Sequence, residues 1–227
     1  MISRKKITII SIFVILYCII MALVDGVLKA DYFVKSAIKL VLFLGFPAIY
    51  SAFDKDVSIR PLFIPKKKGM LLSALLAVGV FTVILGGYLL LRGVFDFSAI
   101  TGQLTENIGV TKENFVFVSL YISFVNSLLE EFFFRGFAFL TLKRIASSRF
   151  AYVFSAAAFA IYHAAMMIGW FSAGLFLLVM AGLFVGGLIF DFLNDKSGNI
   201  YPSWLVHMFA NFAINIVGFI LFGIIKI

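Results

Sequence analysis

Long apolar runs alternate with short polar segments along the chain. The hydrocarbon core of a bilayer is about 30 Å thick, so a helix that crosses it needs roughly 20 mostly apolar residues. The pattern therefore predicts an all-α, polytopic membrane bundle of about seven (six to eight) transmembrane helices. The predicted spans lie near 7–24, 35–53, 70–91, 115–141, 150–168, 172–192 and 202–225. Lys39 and Pro47 interrupt the second span, and the fourth is longer than a bilayer requires.

Seven spans place alternate polar segments on opposite sides of the membrane. The N-terminus and the segments 54–69, 142–149 and 193–201 carry about twice as many lysines and arginines as the segments on the other side. Because basic residues concentrate in cytoplasmic loops, this bias predicts a cytoplasmic N-terminus in a cell membrane. The first apolar run is longer than the roughly 7–15 residues of a cleavable signal sequence, so we expect an uncleaved first span.

Composition agrees with this interpretation. Hydrophobic residues make up 63% of the 227 positions and charged residues 13%, whereas soluble domains average about 45–50% and about 25%. An ordinary soluble domain is therefore excluded. The net charge of +8 would suit nucleic acid, but the basic residues cluster between apolar runs, so we expect no nucleic-acid partner. The single cysteine, Cys18, lies inside an apolar run and is interpreted as a packing residue.

Few ionisable side chains fall inside the predicted spans. Such groups cost about 2.5–3.5 kcal/mol each on membrane-insertion scales and are functional candidates by default. Both histidines of the chain are among them. The candidates, with one amide, are Glu130, Glu131 and Arg135 in the fourth span, His163 in the fifth, and His207 with Asn211 in the seventh.

The spacing of these residues indicates which of them can meet. Residues four apart share a helix face, so Glu131 can pair with Arg135, and His207 can project beside Asn211. Glu130 is rotated by about 100° from its neighbour and faces elsewhere. With a rise of about 1.5 Å per residue, the polar groups of the three spans reach compatible depths. We therefore predict one functional cluster, with a structural ion pair and separate packing histidines as the alternative.

Two neighbouring features are interpreted without a chemical role. The phenylalanines at 132–134 are expected to be lipid-facing or packing surface. Asp191, at the cytoplasmic end of the sixth span, is expected to be a solvated helix end.

Three motifs in this region resemble those of one protein family. "EEFFFR" at 130–135 is similar to the E-E-x-x-x-R motif of the CPBP intramembrane proteases, which include the type II CAAX prenyl endopeptidases and are also called the Abi family. "FAIYH" at 159–163 resembles the F-x-x-x-H motif of that family, and "HMFAN" at 207–211 resembles its H-x-x-x-N/D motif. The resemblance covers about 115–215.

The resemblance divides the chain and implies an activity. Residues 1–114 are expected to form an N-terminal transmembrane region with a basic cytoplasmic loop, and residues 115–227 a protease core, within one integral membrane domain. The implied function is an intramembrane endopeptidase, a hydrolase that cuts membrane-associated peptides or proteins. The oligomeric state is left open.

The resemblance also implies a role for each matching residue. Glu130 would be the general base and would activate a water together with His163. Glu131, held by Arg135, would help to shape the site.

In the last motif, His207 and Asn211 would stabilise the oxyanion of the tetrahedral intermediate. Glu130 and the two histidines could instead hold zinc, so a zinc-dependent protease is an alternative. No H-E-x-x-H pair lies on one helix, and three ligands would have to converge from separate helices. A metal-free mechanism without a cofactor is therefore favoured.

The substrate and some alternative functions stay open. The short chain, rich in Phe, Ile and Lys, favours a bacterial source, and the resemblance then implies roles such as bacteriocin immunity, pheromone maturation or membrane-protein turnover, without a prenylated substrate. A non-catalytic immunity or regulatory protein of the same fold would tolerate loss of the six residues. A proton-coupled carrier would favour inverted repeats and broken helices, and the sequence shows neither.

Overall fold

Seven long helices form the computed structural model, which describes residues 2–54 and 57–226. All seven have the length and composition to cross a membrane, and we label them α1 to α7 in chain order. Their bounds are Arg4–Leu28, Tyr32–Phe53, Met70–Leu91, Phe115–Ile145, Ser148–Met167, Ala173–Ser197 and Tyr201–Leu221. The described residues contain no strand. The predicted all-α membrane fold is confirmed, and the division of the chain at residue 114 stays a prediction.

Two shorter helical segments lie between the spans. The 3₁₀ turn Arg60–Phe63 belongs to the basic linker between α2 and α3, and the helix Ser98–Ile108 belongs to the segment between α3 and α4. Lys55, one of the basic residues that predict the orientation, lies outside the described residues.

Local sequence fixes several helix ends. The Asp31 carboxylate accepts hydrogen bonds from the backbone N–H groups of Phe33 and Val34, at 2.9 and 3.1 Å, and so begins α2. The Ser147 hydroxyl accepts from the Phe150 N–H at 3.2 Å and begins α5. These side chains satisfy donors that have no partner inside the helix. At the far end of α6, Gly198 adopts a φ of 71°, which glycine tolerates best.

The fourth span is the centre of the bundle. Helices α1, α2, α5, α6 and α7 all contact α4, whereas α3 packs mainly against α7 and leaves most of its apolar surface for lipid. Two stretches of α4, Ile122–Asn126 and Glu131–Leu140, are π-helical. Such wide turns are rare and occur frequently at functional sites. The second begins at the paired glutamates.

The phenylalanines at 132–134 are buried. Of the two predicted roles, lipid-facing surface and packing surface, they have the packing role. The Phe133 ring stacks on Phe43 of α2, with centroids 4.1 Å apart. The Phe134 ring meets Phe159 of α5 edge to face at 5.5 Å. Aromatic contacts therefore attach α4 to its neighbours on two sides.

The basic linker also packs on the bundle. Leu62 is buried against Phe132 and Ile200, and its carbonyl accepts a hydrogen bond from the Ile200 N–H at 3.2 Å. Gly136 of α4 makes room for it, because a Cβ there would lie 2.8 Å from Leu62 Cδ1. The linker thus connects α4 to the start of α7.

A glycine sets the distance between α5 and α6. A Cβ at Gly187 would lie 2.9 Å from Ala156 Cα, whereas a Cβ at Gly186 would meet nothing within 4 Å. In membranes, helices approach closely where small residues face each other. The close approach at Gly187 brings the following turn of α6 against α4 and α5.

Gly187→Ala should lower the free energy of unfolding by about 1–3 kcal/mol, because the added methyl group meets backbone that must move. Thermal unfolding of the purified protein in detergent measures this loss. Gly186→Ala is the matched control and should leave the melting temperature unchanged or slightly higher, since alanine favours helix. Equal melting temperatures of the two variants would contradict the close packing at Gly187.

Candidate active site

Three charged residues of α4 are buried. Glu130 is 2% exposed, and Glu131 and Arg135 are fully buried. They lie where an ordinary helical turn passes into the π-helical stretch Glu131–Leu140. Because water does not reach them, their polar partners must be side chains of α4 or of the neighbouring helices.

The two oxygens of the Glu130 carboxylate have different surroundings. Oε1 accepts hydrogen bonds from the Lys39 ammonium of α2 and from the Asn126 amide, the latter at 3.0 Å. Oε2 is buried and has no hydrogen-bond partner among the described residues. It lies 3.7 Å from His163 Nε2 and 3.6 Å from His207 Nε2. One oxygen is thus held in place, and the other faces two imidazoles.

His163 reaches the site from α5. Its Nδ1 lies 2.8 Å from the carbonyl oxygen of Phe159. Because a carbonyl can only accept, Nδ1 carries the hydrogen, and when the ring is neutral Nε2 presents its lone pair to Glu130. The side chain is 13% exposed, more than the glutamates. Two acceptors therefore face each other across 3.7 Å, a suitable place for a water that donates to both.

His207 reaches the same carboxylate from α7. Its Nδ1 lies 2.9 Å from Glu131 Oε1, within hydrogen-bond distance, and its Nε2 is directed towards Glu130. The ring stacks on Phe190 of α6 with centroids 5.4 Å apart. His207 therefore bridges the two adjacent carboxylates, and its orientation is fixed by a carboxylate and an aromatic ring.

Arg135 lies between two carboxylates. Its Nη1 is 3.6 Å from Glu131 Oε1, the predicted pair four residues apart, and its Nε is 3.7 Å from Asp191 Oδ1. The guanidinium also lies over the rings of Phe159 and Phe190, at 4.0 and 5.0 Å from their centroids. Cation–π contacts of this kind are strongest when the cation is desolvated.

The prediction for Asp191 is wrong. It is not a solvated helix end: its side chain is fully buried, contacts Arg135, and has Ser155 Oγ 2.9 Å from its Oδ1. The physical reason is that α6 continues to Ser197, so Asp191 lies inside the helix, one turn after the close contact at Gly187. The lone Asp in an otherwise apolar stretch was the sequence signal for this role.

Asn211 lies one turn beyond His207 on α7 and is buried. Its side-chain amide donates to the carbonyl oxygen of Ile122, at 3.2 Å, in the first π-helical stretch of α4. The structure therefore places Asn211 on the same helix interface as His207, and gives it a backbone partner. Since an Asn side chain carries two N–H donors, this contact uses one of them.

Two residues of the site do not occur in the sequence prediction. The sequence pattern treats Lys39 as an interruption of the second span and gives Asn126 no role. In the structure both contact Glu130 Oε1, and the Lys39 ammonium also donates to Asn126 Oδ1 at 2.7 Å. A lysine within an apolar run is itself an intramembrane ionisable group, so the criterion that selected the histidines would have selected Lys39.

A metal ion at this site would need the side chains of Glu130, His163 and His207 as ligands. Within the described part of the chain, no group of three or more His, Cys, Asp and Glu side chains is placed to hold one. The Lys39 ammonium contacts the Oε1 atom of Glu130, and the Oε2 atom is the one that faces the two histidines. We derive no step through a metal, and the metal-free mechanism stays a prediction.

Comparison with known proteins finds one similar family. Residues 112–213 match the model of the family described as type II CAAX prenyl endopeptidase Rce1-like. This segment contains all six candidate residues, from Glu130 to Asn211, and Asp191. No curated protein and no solved structure gives a significant match. Seven helices are able to span a bilayer, so the chain is a multi-pass membrane protein, and its segment 112–213, a little under half of the chain, is similar to the type II CAAX prenyl endopeptidases.

Proposed function

We propose that the protein is an active intramembrane endopeptidase in which Glu130 activates a water molecule. The observation that carries the proposal is the orientation of Glu130. Its free oxygen, Oε2, is buried and faces the Nε2 atoms of His163 and His207, which come from two different helices. Acid–base catalysis requires an acceptor within reach of the reacting proton, directly or through a water.

The first step is attack by water. A water to one side of Glu130 Oε2 and His163 Nε2, within hydrogen-bond distance of both, donates a hydrogen bond to each. Its oxygen forms a bond to the carbonyl carbon of the peptide while Glu130 takes one proton. The π electrons of the carbonyl move to its oxygen and form the tetrahedral oxyanion.

Donors from α7 stabilise that oxyanion. Asn211 has an amide N–H beyond the one that bonds to Ile122. His207 can donate from Nε2 when that nitrogen carries a proton, and Glu131 at Nδ1 balances the charge of such a ring. Donors aimed at the developing oxyanion are typically a large part of catalysis.

In the second step, Glu130 gives its proton to the nitrogen of the leaving amine. The C–N bond breaks, the carbonyl re-forms from the oxyanion, and the products are an amine and a carboxylic acid, which gives up its remaining proton to solvent after release. Arg135 and Asp191 do not touch the reacting atoms in this scheme. They hold Glu131, and through it His207, in position.

The proposed substrate is a membrane-associated peptide or protein. The reacting groups lie between membrane-spanning helices, so the proposed substrate enters from the membrane or its surface. The description of the matching family names prenylated CAAX peptides, while nothing in the described site selects for a prenyl group. Both prenylated and unprenylated peptides are therefore suitable probes.

Glu130→Gln and, separately, His163→Ala should each reduce kcat by at least about 100-fold, the lower range of acid–base contributions. The measurement is cleavage of a farnesylated CAAX peptide and of its unprenylated counterpart by the purified protein in detergent. Melting temperatures establish that the variants are folded.

Glu106→Gln is the matched control, because Glu106 is an exposed carboxylate on the helix Ser98–Ile108, away from the site. It should cleave like the unchanged protein. If both site variants keep their activity within about threefold, the protease proposal is wrong and a non-catalytic membrane protein of the same fold is favoured.

A chelator should leave the activity unchanged, because the proposed proton transfers use only side chains and water. The test is to incubate the purified protein with EDTA or 1,10-phenanthroline before the cleavage assay. Activity that is lost with chelator and returns with added zinc would overturn the metal-free mechanism.

A further inference from the structure

Lys39 is a buried cation in the middle of a membrane-spanning helix. It lies on α2, its side chain is 4% exposed, and its ammonium contacts the Glu130 carboxylate on α4. The same nitrogen lies 4.8 Å from the ring centroid of Tyr162 and 5.3 Å from that of Phe43. The lysine is thus enclosed by aromatic rings and has one anionic partner among its described contacts.

Lys39, Asn126 and Glu130 form a closed set of hydrogen bonds. The ammonium donates to Asn126 Oδ1 at 2.7 Å and to Glu130 Oε1, and the Asn126 amide donates to Glu130 Oε1 at 3.0 Å. A carboxylate that accepts two donors on one oxygen cannot rotate about its last bond without losing both. The set therefore fixes the direction of the other oxygen.

We propose that Lys39 is a positioning residue for Glu130: it holds Oε1 so that Oε2 stays directed at His163 and His207. This inference rests on the proposed protease function and adds to it a residue outside the three motifs. Lys39 acts through Glu130 and does not contact the peptide. Small displacements of a reacting group can reduce a rate by about 100-fold, so the chemical step should depend on this contact.

The same helix supplies an internal comparison. Lys35 lies one turn before Lys39, is also buried, and pairs with Asp25 of α1 at 2.5 Å. It has no described contact with Glu130. If buried lysines of α2 served only to neutralise charge and allow insertion, the two residues would respond alike to substitution. A positioning role predicts instead that substitution of Lys39 lowers kcat and substitution of Lys35 does not.

The test compares Lys39→Met, Lys39→Arg and Lys35→Met in the peptide-cleavage assay, with folded protein quantified by size-exclusion chromatography and melting temperature. Lys39→Met should lower kcat by about 100-fold, with KM within about threefold, because no substrate contact is lost. Lys39→Arg keeps the charge and the donors and should recover at least about tenfold over Lys39→Met. Lys35→Met should keep kcat within about threefold.

Several outcomes would overturn the positioning role. One is full kcat in folded Lys39→Met, and another is an equal loss of kcat per folded protein in Lys35→Met. If Glu130→Gln also cleaves normally, the proposed protease function fails and the role of Lys39 fails with it. If Glu130→Gln is inactive while Lys39→Met is active, only the role of Lys39 fails.

A measurement without substrate tests the contact itself. Lys39→Met should lower the melting temperature less in the Glu130→Gln background than in the unchanged protein, since its partner is already altered. Lys35→Met should cause the same loss in both backgrounds. An equal loss from Lys39→Met in the two backgrounds would show that the two side chains are not coupled and would contradict the proposal.

Discussion

Glu130 lies between the helices of a membrane protein, where water cannot compensate its charge. A charged side chain at such a depth costs about 2.5–3.5 kcal/mol even on mild insertion scales, so its partners must come from the protein. The structure supplies Lys39 to one oxygen and places the imidazoles of His163 and His207 within 3.7 Å of the other, where either compensates the charge only when it is protonated. These groups come from three helices, and the bundle has to bring all three against α4. The contacts that surround the Glu130 carboxylate are therefore also contacts that hold three helices against α4.

The charges of the buried cluster nearly balance. Lys39 and Arg135 face the three carboxylates of Glu130, Glu131 and Asp191. With every carboxylate ionised, one negative charge is left, and a single proton shared with the two histidines makes the cluster neutral. A site of this kind can pass a proton between water and a leaving group without building up net charge in an apolar environment.

Local patterns predicted the seven spans and the pair of Glu131 with Arg135, because hydropathy and helical periodicity act within one segment. The histidines were located as ionisable groups inside predicted spans, and the family motifs contain both of them. Lys39 and Asp191 were missed, since a hydropathy pattern treats a charge in a long apolar run as an interruption or an end. Their partners lie on other helices, and the rotation of each span depends on tertiary packing such as the close contact at Gly187.

We expect buried charges in this bundle to be stable only as a compensated set, and Arg135 with its two carboxylates provides the test. Thermal unfolding in detergent should show that Arg135→Met alone lowers the free energy of unfolding by about 3–5 kcal/mol, because it leaves buried carboxylates without their cation. The triple variant Glu131→Gln, Arg135→Met, Asp191→Asn should recover more than half of that loss. A triple variant that loses the sum of the three single effects would contradict the account.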